Sequence, residues 1–106
     1  MIWHALLLAQ VVTTAPRPSE AAAYMRCVAE QTKRLTPSGE SAEAIAVAST
    51  FNCGNLLEAA GRAMDKAIPA PDGVNHSFDQ AMKLQATARE MSITAVVENR
   101  LREGSR

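Results

Sequence analysis

A chain of 106 residues is the size of one domain. Its 11 basic and 11 acidic side chains give a formal net charge of zero. Nucleic acids and anionic membrane surfaces are usually held by a basic excess, so the balance argues against either as a partner. The hydrophobic fraction is 47% but leans on alanine, and aromatic residues make up only 4%. Alanine favours helix and lets helices approach closely, so the composition points to an all-α fold whose core is thin in large side chains. A small domain with such a core is marginal alone, and a disulfide or self-association would support it.

Ile2 to Val12 form an almost unbroken apolar run. It is too short to span a bilayer, which needs about 20 residues, but it suits the apolar region of a secretory signal peptide. Thr13-Thr14-Ala15 supplies small residues for cleavage after Ala15. Residues 1–15 therefore read as a signal peptide, and 16–106 as a single helical domain, periplasmic or secreted. Against this, no Lys or Arg lies in the first four residues, and Pro16 would follow the cut. The alternative is a short N-terminal helix packed on the domain. No cysteine follows the run directly, which speaks against a lipid-anchored protein.

Pro16-Arg17-Pro18 acts as a linker, and Ser19 is placed to cap a first helix over residues 19–35. Tyr24, Cys27, Val28, Gln31 and Leu35 recur at helical spacing and mark its inner face. Pro37 should draw Thr36 out of helical geometry. Ser38 or Ser41 can cap a second helix over 40–67, with an inner stripe of Ile45, Ser49, Cys53, Leu56, Leu57, Ala60 and Met64. Gly54 and Gly61 interrupt it, and Gly54, next to Cys53, suggests a kink or a close helix contact. Pro69-Ala70-Pro71-Asp72-Gly73 ends this helix. Ser77-Phe78-Asp79-Gln80 then has the form of a capping box opening a third helix over 77–102.

The third helix carries two apolar stripes, one of Ala81, Leu84, Ala88, Met91 and Ala95, the other of Phe78, Met82, Ile93, Val96 and Val97. Two stripes exceed what one edge of a helical hairpin covers. Either this helix lies in the groove between the other two, or its second stripe meets another chain. Acid-before-base pairs four residues apart occur at Glu30–Arg34, Glu58–Arg62, Asp79–Lys83 and Glu98–Arg102, and they support helix without invoking chemistry. The sequence therefore predicts an all-α, three-helix arrangement: a hairpin of 19–35 and 40–67 plus a long third helix.

Cys27 and Cys53 fall on the inner faces of an antiparallel hairpin, where their thiols can meet. With helix ends at 35 and 40, their heights differ by roughly 6–9 Å at 1.5 Å rise per residue, so the match needs an extended connection or a tilted crossing. The other reading is two ordinary buried thiols. The apolar leader and the paired count favour a Cys27–Cys53 disulfide.

The sequence holds no phosphate-binding Gly-rich loop, no Gly-x-Ser-x-Gly elbow, no His-Glu-x-x-His and no Cys-x-x-Cys. No metal site or cofactor is expected. Outside the leader His76 is the single histidine, and it stands in a loop within an Asn75-His76-Ser77 sequon that two capping residues explain equally well. A small helical enzyme acting on an anionic substrate would need converging cations, for which Arg26, Arg62 and Arg89 are candidates, although nothing in their spacing demands it. Gln31 and Asn52, the polar residues beside the hairpin stripes, are expected to bond each other.

Tyr24-x-x-Cys27, followed by Ser41-Ala42-Glu43-x-Ile45-Ala46 and Cys53, resembles a pattern in small exported two-cysteine helical proteins of proteobacteria. The resemblance spans residues 24–53. It implies an exported helical protein and carries no activity with it. The reading that follows is an exported, non-enzymatic interaction module acting through the apolar surface of the third helix at Met82, Ile93, Val96 and Val97, on itself or on a protein partner. A periplasmic stress chaperone and the small enzyme are the alternatives.

Overall fold

The computed structural model describes residues 18–104, and the expected signal peptide at 1–15 lies outside them. The described chain is all-α, with no strand among those residues. Helix α1 spans Ser19–Leu35, a 3-10 turn follows at Thr36–Ser38, α2 spans Ala42–Asn52, α3 spans Gly54–Ala67 and α4 spans Ser77–Gly104. The expected second helix is thus two helices. Together they run antiparallel to both α1 and α4, as three cross-links show: Asn52 to Gln31, Gly61 against Ser77 and Ala81, and Arg100 to Glu40. The topology is up-down-up, with the middle segment broken.

Local chemistry explains each boundary, not always as expected. Ser19 is the first residue of α1, not its cap; Pro18 holds that place with no side-chain bond. Thr36 keeps right-handed helical geometry in spite of Pro37, because the chain tightens into a 3-10 turn and the Thr36 hydroxyl bonds back to the Thr32 carbonyl at 2.6 Å. Gly39, at φ +81°, then turns the chain in the left-handed region that a side chain would resist. Ser41 caps α2, its Oγ accepting from the Ala44 amide at 3.1 Å. At the start of α4 the cap falls one residue early. His76 offers the carbonyl that takes the Gln80 amide, while Asn75 Oδ1 accepts from both the amide and the hydroxyl of Ser77. Ser77 is therefore inside the helix.

The break between α2 and α3 sits at Cys53, whose φ of −102° and ψ of 9° leave the helical region. One turn earlier the Thr50 hydroxyl bonds back to the carbonyls of Ala46 and Val47, at 2.9 and 3.1 Å, a contact that bends helices. The Cys53 amide then reaches the Thr50 carbonyl, three residues back, so the regular ladder slips there.

The core joins Ala21, Tyr24 and Val28 of α1, Cys53, Leu57 and Ala60 of the middle segment, and Ala81, Leu84 and Ala88 of α4. A second, polar layer lies further along. Thr32 Oγ1 is 2.8 Å from the Val28 carbonyl, 3.3 Å from Ser49 Oγ and 2.6 Å from Ser92 Oγ, all three hydroxyl residues being buried. The trio joins α1, α2 and α4, and each hydroxyl there has a partner, as burial requires. On α4 the buried positions step from Ala81, Leu84 and Ala88 to Ser92 and Val96. At about 100° per residue this turns the buried face by roughly 60° along the helix. The face turns because α3 covers the first half of α4 and α2, beyond the break, covers the second.

Gly61 is where α3 and α4 touch most closely. A Cβ built there would lie within 2.8 Å of Ala81 Cβ and closer still to the Ser77 carbonyl oxygen, a backbone atom that cannot rotate away. Gly54, which the sequence offered as a close contact, has open space around it and marks only the kink. Gly61→Ala is accordingly expected to destabilise the protein by about 1–3 kcal/mol through overpacking. Gly54→Ala should leave stability unchanged or raise it by about 0.4–1 kcal/mol. Denaturant unfolding followed by circular dichroism checks both, and the opposite order would refute this account of the two glycines.

Candidate functional site

Two features stand out from the helical scaffold: the cross-linked hinge at Cys53 and an open groove between α3 and α4. Cys27 and Cys53 form a disulfide, with their α-carbons 6.0 Å apart. The 3-10 turn removes the height mismatch expected from sequence, because Cys27 lies eleven residues before its end at Ser38 and Cys53 lies eleven after the start of α2 at Ala42. One turn along the same seam, Asn52 Nδ2 donates to Gln31 Oε1 at 3.1 Å. This is the bond expected from sequence, although it lies on the exposed side of the hairpin.

Tyr24 is the largest fully buried side chain. Its hydroxyl, sealed in the apolar layer, has no hydrogen-bond partner. Burial raises its pKa above the ordinary tyrosine value, and the Arg89 charge offsets part of that rise.

The groove, about 600 Å³, is floored by Gly54, Leu57 and Ala81 and walled by Phe78 and Met82 of α4 and by Glu58 and Arg62 of α3. Phe78 is 73% exposed and Met82 38%. Glu58 and Arg62 form an ion pair at 2.7 Å, the one of the four expected helical pairs that lies on this rim. Asn75 and Ser77 close the end nearest the α3–α4 connection.

The four residues expected to form the surface of the last helix are not brought together. Met82 lines the groove and Val97, 44% exposed, lies on the outer side of the other half of α4. Ile93 is half-buried and Val96 is fully buried in the stretch of α4 that runs along α2. Of the second apolar stripe, Val96 is buried and Ile93 half-buried, while Phe78, Met82 and Val97 stay exposed, the first two because they flank the Ala81–Leu84 face that α3 covers. Sequence reasoning missed a second exposed pair, Val47 and Phe51 on the outer face of α2, the latter 82% exposed. Their four-residue spacing, opposite Ile45 and Ser49, was the available signal.

Of the three arginines weighed as ligands of an anion, Arg62 is engaged by Glu58, and Arg26 and Arg89 are exposed. Among the described residues no cluster of His, Cys, Asp and Glu has the makings of a metal site, and no helix is long and apolar enough to cross a membrane. His76 lies in the connection before α4, its Nε2 3.2 Å from both Asp72 carboxylate oxygens and its Nδ1 3.4 Å from Asp79 Oδ2. The chain matches no protein-family model, and no curated protein or solved structure shows significant similarity to it.

Two outcomes follow from the interior. Replacing both cysteines by serine should cost about 3–4 kcal/mol by the chain-entropy treatment of a loop of this length, and reductant should cost the parent protein a similar amount; a loss below about 1 kcal/mol would show that the bond constrains little. Tyr24→Phe should hold or raise stability, since an unpartnered buried hydroxyl costs about 1–3 kcal/mol. In the parent the single tyrosine should titrate late, with stability falling as pH rises from the unfolded tyrosine value through the raised folded one. A Phe variant destabilised by more than about 1 kcal/mol would mean the hydroxyl has a partner in solution.

Proposed function

We propose that the protein is an exported, non-enzymatic helical interaction module, periplasmic or secreted, that pairs with a second copy of itself through the groove between α3 and α4. The observation that carries this reading is the apolar wall of Phe78 and Met82 standing exposed above Leu57. A short charged rim borders it, and that rim is complementary to itself. With a two-fold axis across the groove the two α3 helices run antiparallel, so Glu58 of one copy faces Arg62 of the other. A net charge of zero removes long-range repulsion between copies. Export is supported by the disulfide, which persists in oxidising compartments, and by the likeness of residues 24–53 to small exported two-cysteine proteins.

Native mass at increasing concentration tests the pairing. The parent should shift from monomer to dimer, Phe78→Asp with Met82→Asp should stay monomeric, and Phe51→Asp, outside the groove, should still pair. Arg62→Glu should weaken the dimer at least several-fold, with the exchange Glu58→Arg plus Arg62→Glu restoring it. A parent monomeric throughout, or one whose pairing is lost at Phe51 and kept without Phe78 and Met82, would sink the proposal.

A further inference from the structure

The connection from Ile68 to His76 is built around one histidine. Asp72 folds the loop by accepting the Val74 amide at 2.9 Å, Gly73 turns at φ +71°, and the Gly73 amide returns to the Ala70 carbonyl. From α3, Asp65 accepts the backbone amide of His76 at 3.1 Å. The imidazole lies between two carboxylates, with Asp72 of the loop at Nε2 and Asp79 of α4 at Nδ1. A neutral imidazole has one N–H and one lone pair, so it satisfies one of these carboxylates and turns a lone pair towards the other. Only the imidazolium donates to both.

We propose that His76 is a proton-operated latch, closed when its ring is doubly protonated, that fastens the 68–76 connection onto the first turn of α4.

All the charged groups around the ring can be weighed. Asp72 on the loop, Asp79 on α4 and Asp65 on α3 favour the cation. Lys83 on α4, which lines a small cleft together with His76, Asp65 and Asp79, opposes it, as does the positive N-terminal end of α4. The two carboxylates in direct contact prevail: hydrogen bonding to Asp72, then to Asp79, holds the histidine above its ordinary pKa. The Asp72 carboxyl is held below its own ordinary value, first by the Val74 amide and then by His76. A raised histidine pKa means that the closing interaction is fully present below the unfolded histidine value and is lost as pH rises through the folded one. A lowered Asp72 pKa means that its share is present above the unfolded aspartate value and lost as pH falls through the folded one. The latch is therefore shut in mildly acidic solution and released towards alkaline pH, with its midpoint above the ordinary histidine value. The same loop carries Asn75, which lines the end of the groove, so the state of the latch decides how firmly that end is held.

Backbone order parameters of Gly73 and Val74, read by nitrogen-15 relaxation in a pH series from about 5.5 to about 8, test this directly. In the parent they should fall from about 0.85 towards about 0.6 as pH rises, with a midpoint matching the His76 ring titration followed in the same samples. His76→Gln should show the loosened values throughout the series, and Asp72→Asn should bring the ring titration down. Circular dichroism would confirm that the variants keep their helices. Unchanged order parameters in the parent, or the same pH response in His76→Gln, would overturn the latch. The measurement is made on dilute protein, so its outcome is independent of whether two copies pair.

Discussion

The bend at Cys53, tied to Cys27, governs the arrangement of everything around it. A continuous helix from Ala42 to Ala67 would present one straight stripe and could cover only one face of α4. The slipped ladder at Cys53, prepared by the back-bonded Thr50, turns the middle segment between its two halves. The disulfide then fixes the turning point against the middle of α1. Hence α4 buries one face along α3 and a rotated one along α2. The groove lies beside the face that α3 covers, at Phe78 and Met82.

Around that hinge, close approach does what large side chains do elsewhere. Ala21, Ala60, Ala81 and Ala88 fill much of the apolar layer, and Gly61 lets α3 settle against the backbone of α4. Short side chains bring few dispersion contacts each, so the helices must lie near one another for the packing to hold. In the other half of the bundle buried hydroxyls join the apolar Ile45, Ala46 and Val96. Thr32, Ser49 and Ser92 are small enough for the same close packing, and their mutual bonds remove the cost of burying polar atoms. Arg100 closes that end of the molecule by donating to the carbonyls of Thr36 and Glu40, groups that the end of α1 and the turn leave unsatisfied.

Two neighbouring features at the start of α4 face the surroundings. Phe78 and Met82 form an apolar wall that the fold leaves uncovered, and the loop beneath them is folded around a histidine held between carboxylates. They adjoin because both belong to the start of α4. The residue that opens the helix, His76, is followed two positions later by the exposed Phe78.

The all-α class, the bounds of the first helix, the start of the last one and the Cys27–Cys53 pairing were legible in the sequence, because helix propensity, turn residues and an apolar spacing of three to four are local properties. The Gln31–Asn52 bond was legible for the same reason, since it needed only the register of a hairpin. What stayed hidden was whatever depended on which helix covers which. The stripe of α4 looked continuous, yet Val96 is buried and Phe78 exposed at the same angle on the helix wheel, because the partner changes at the bend. Nothing in the sequence singles out Ser92, whose buried hydroxyl finds its partner in Thr32 of α1, sixty residues away. Periodicity gives the direction in which a side chain points from its own helix. Whether it meets another helix, another hydroxyl or solvent is set by the distances between helix axes, which only the packed molecule determines.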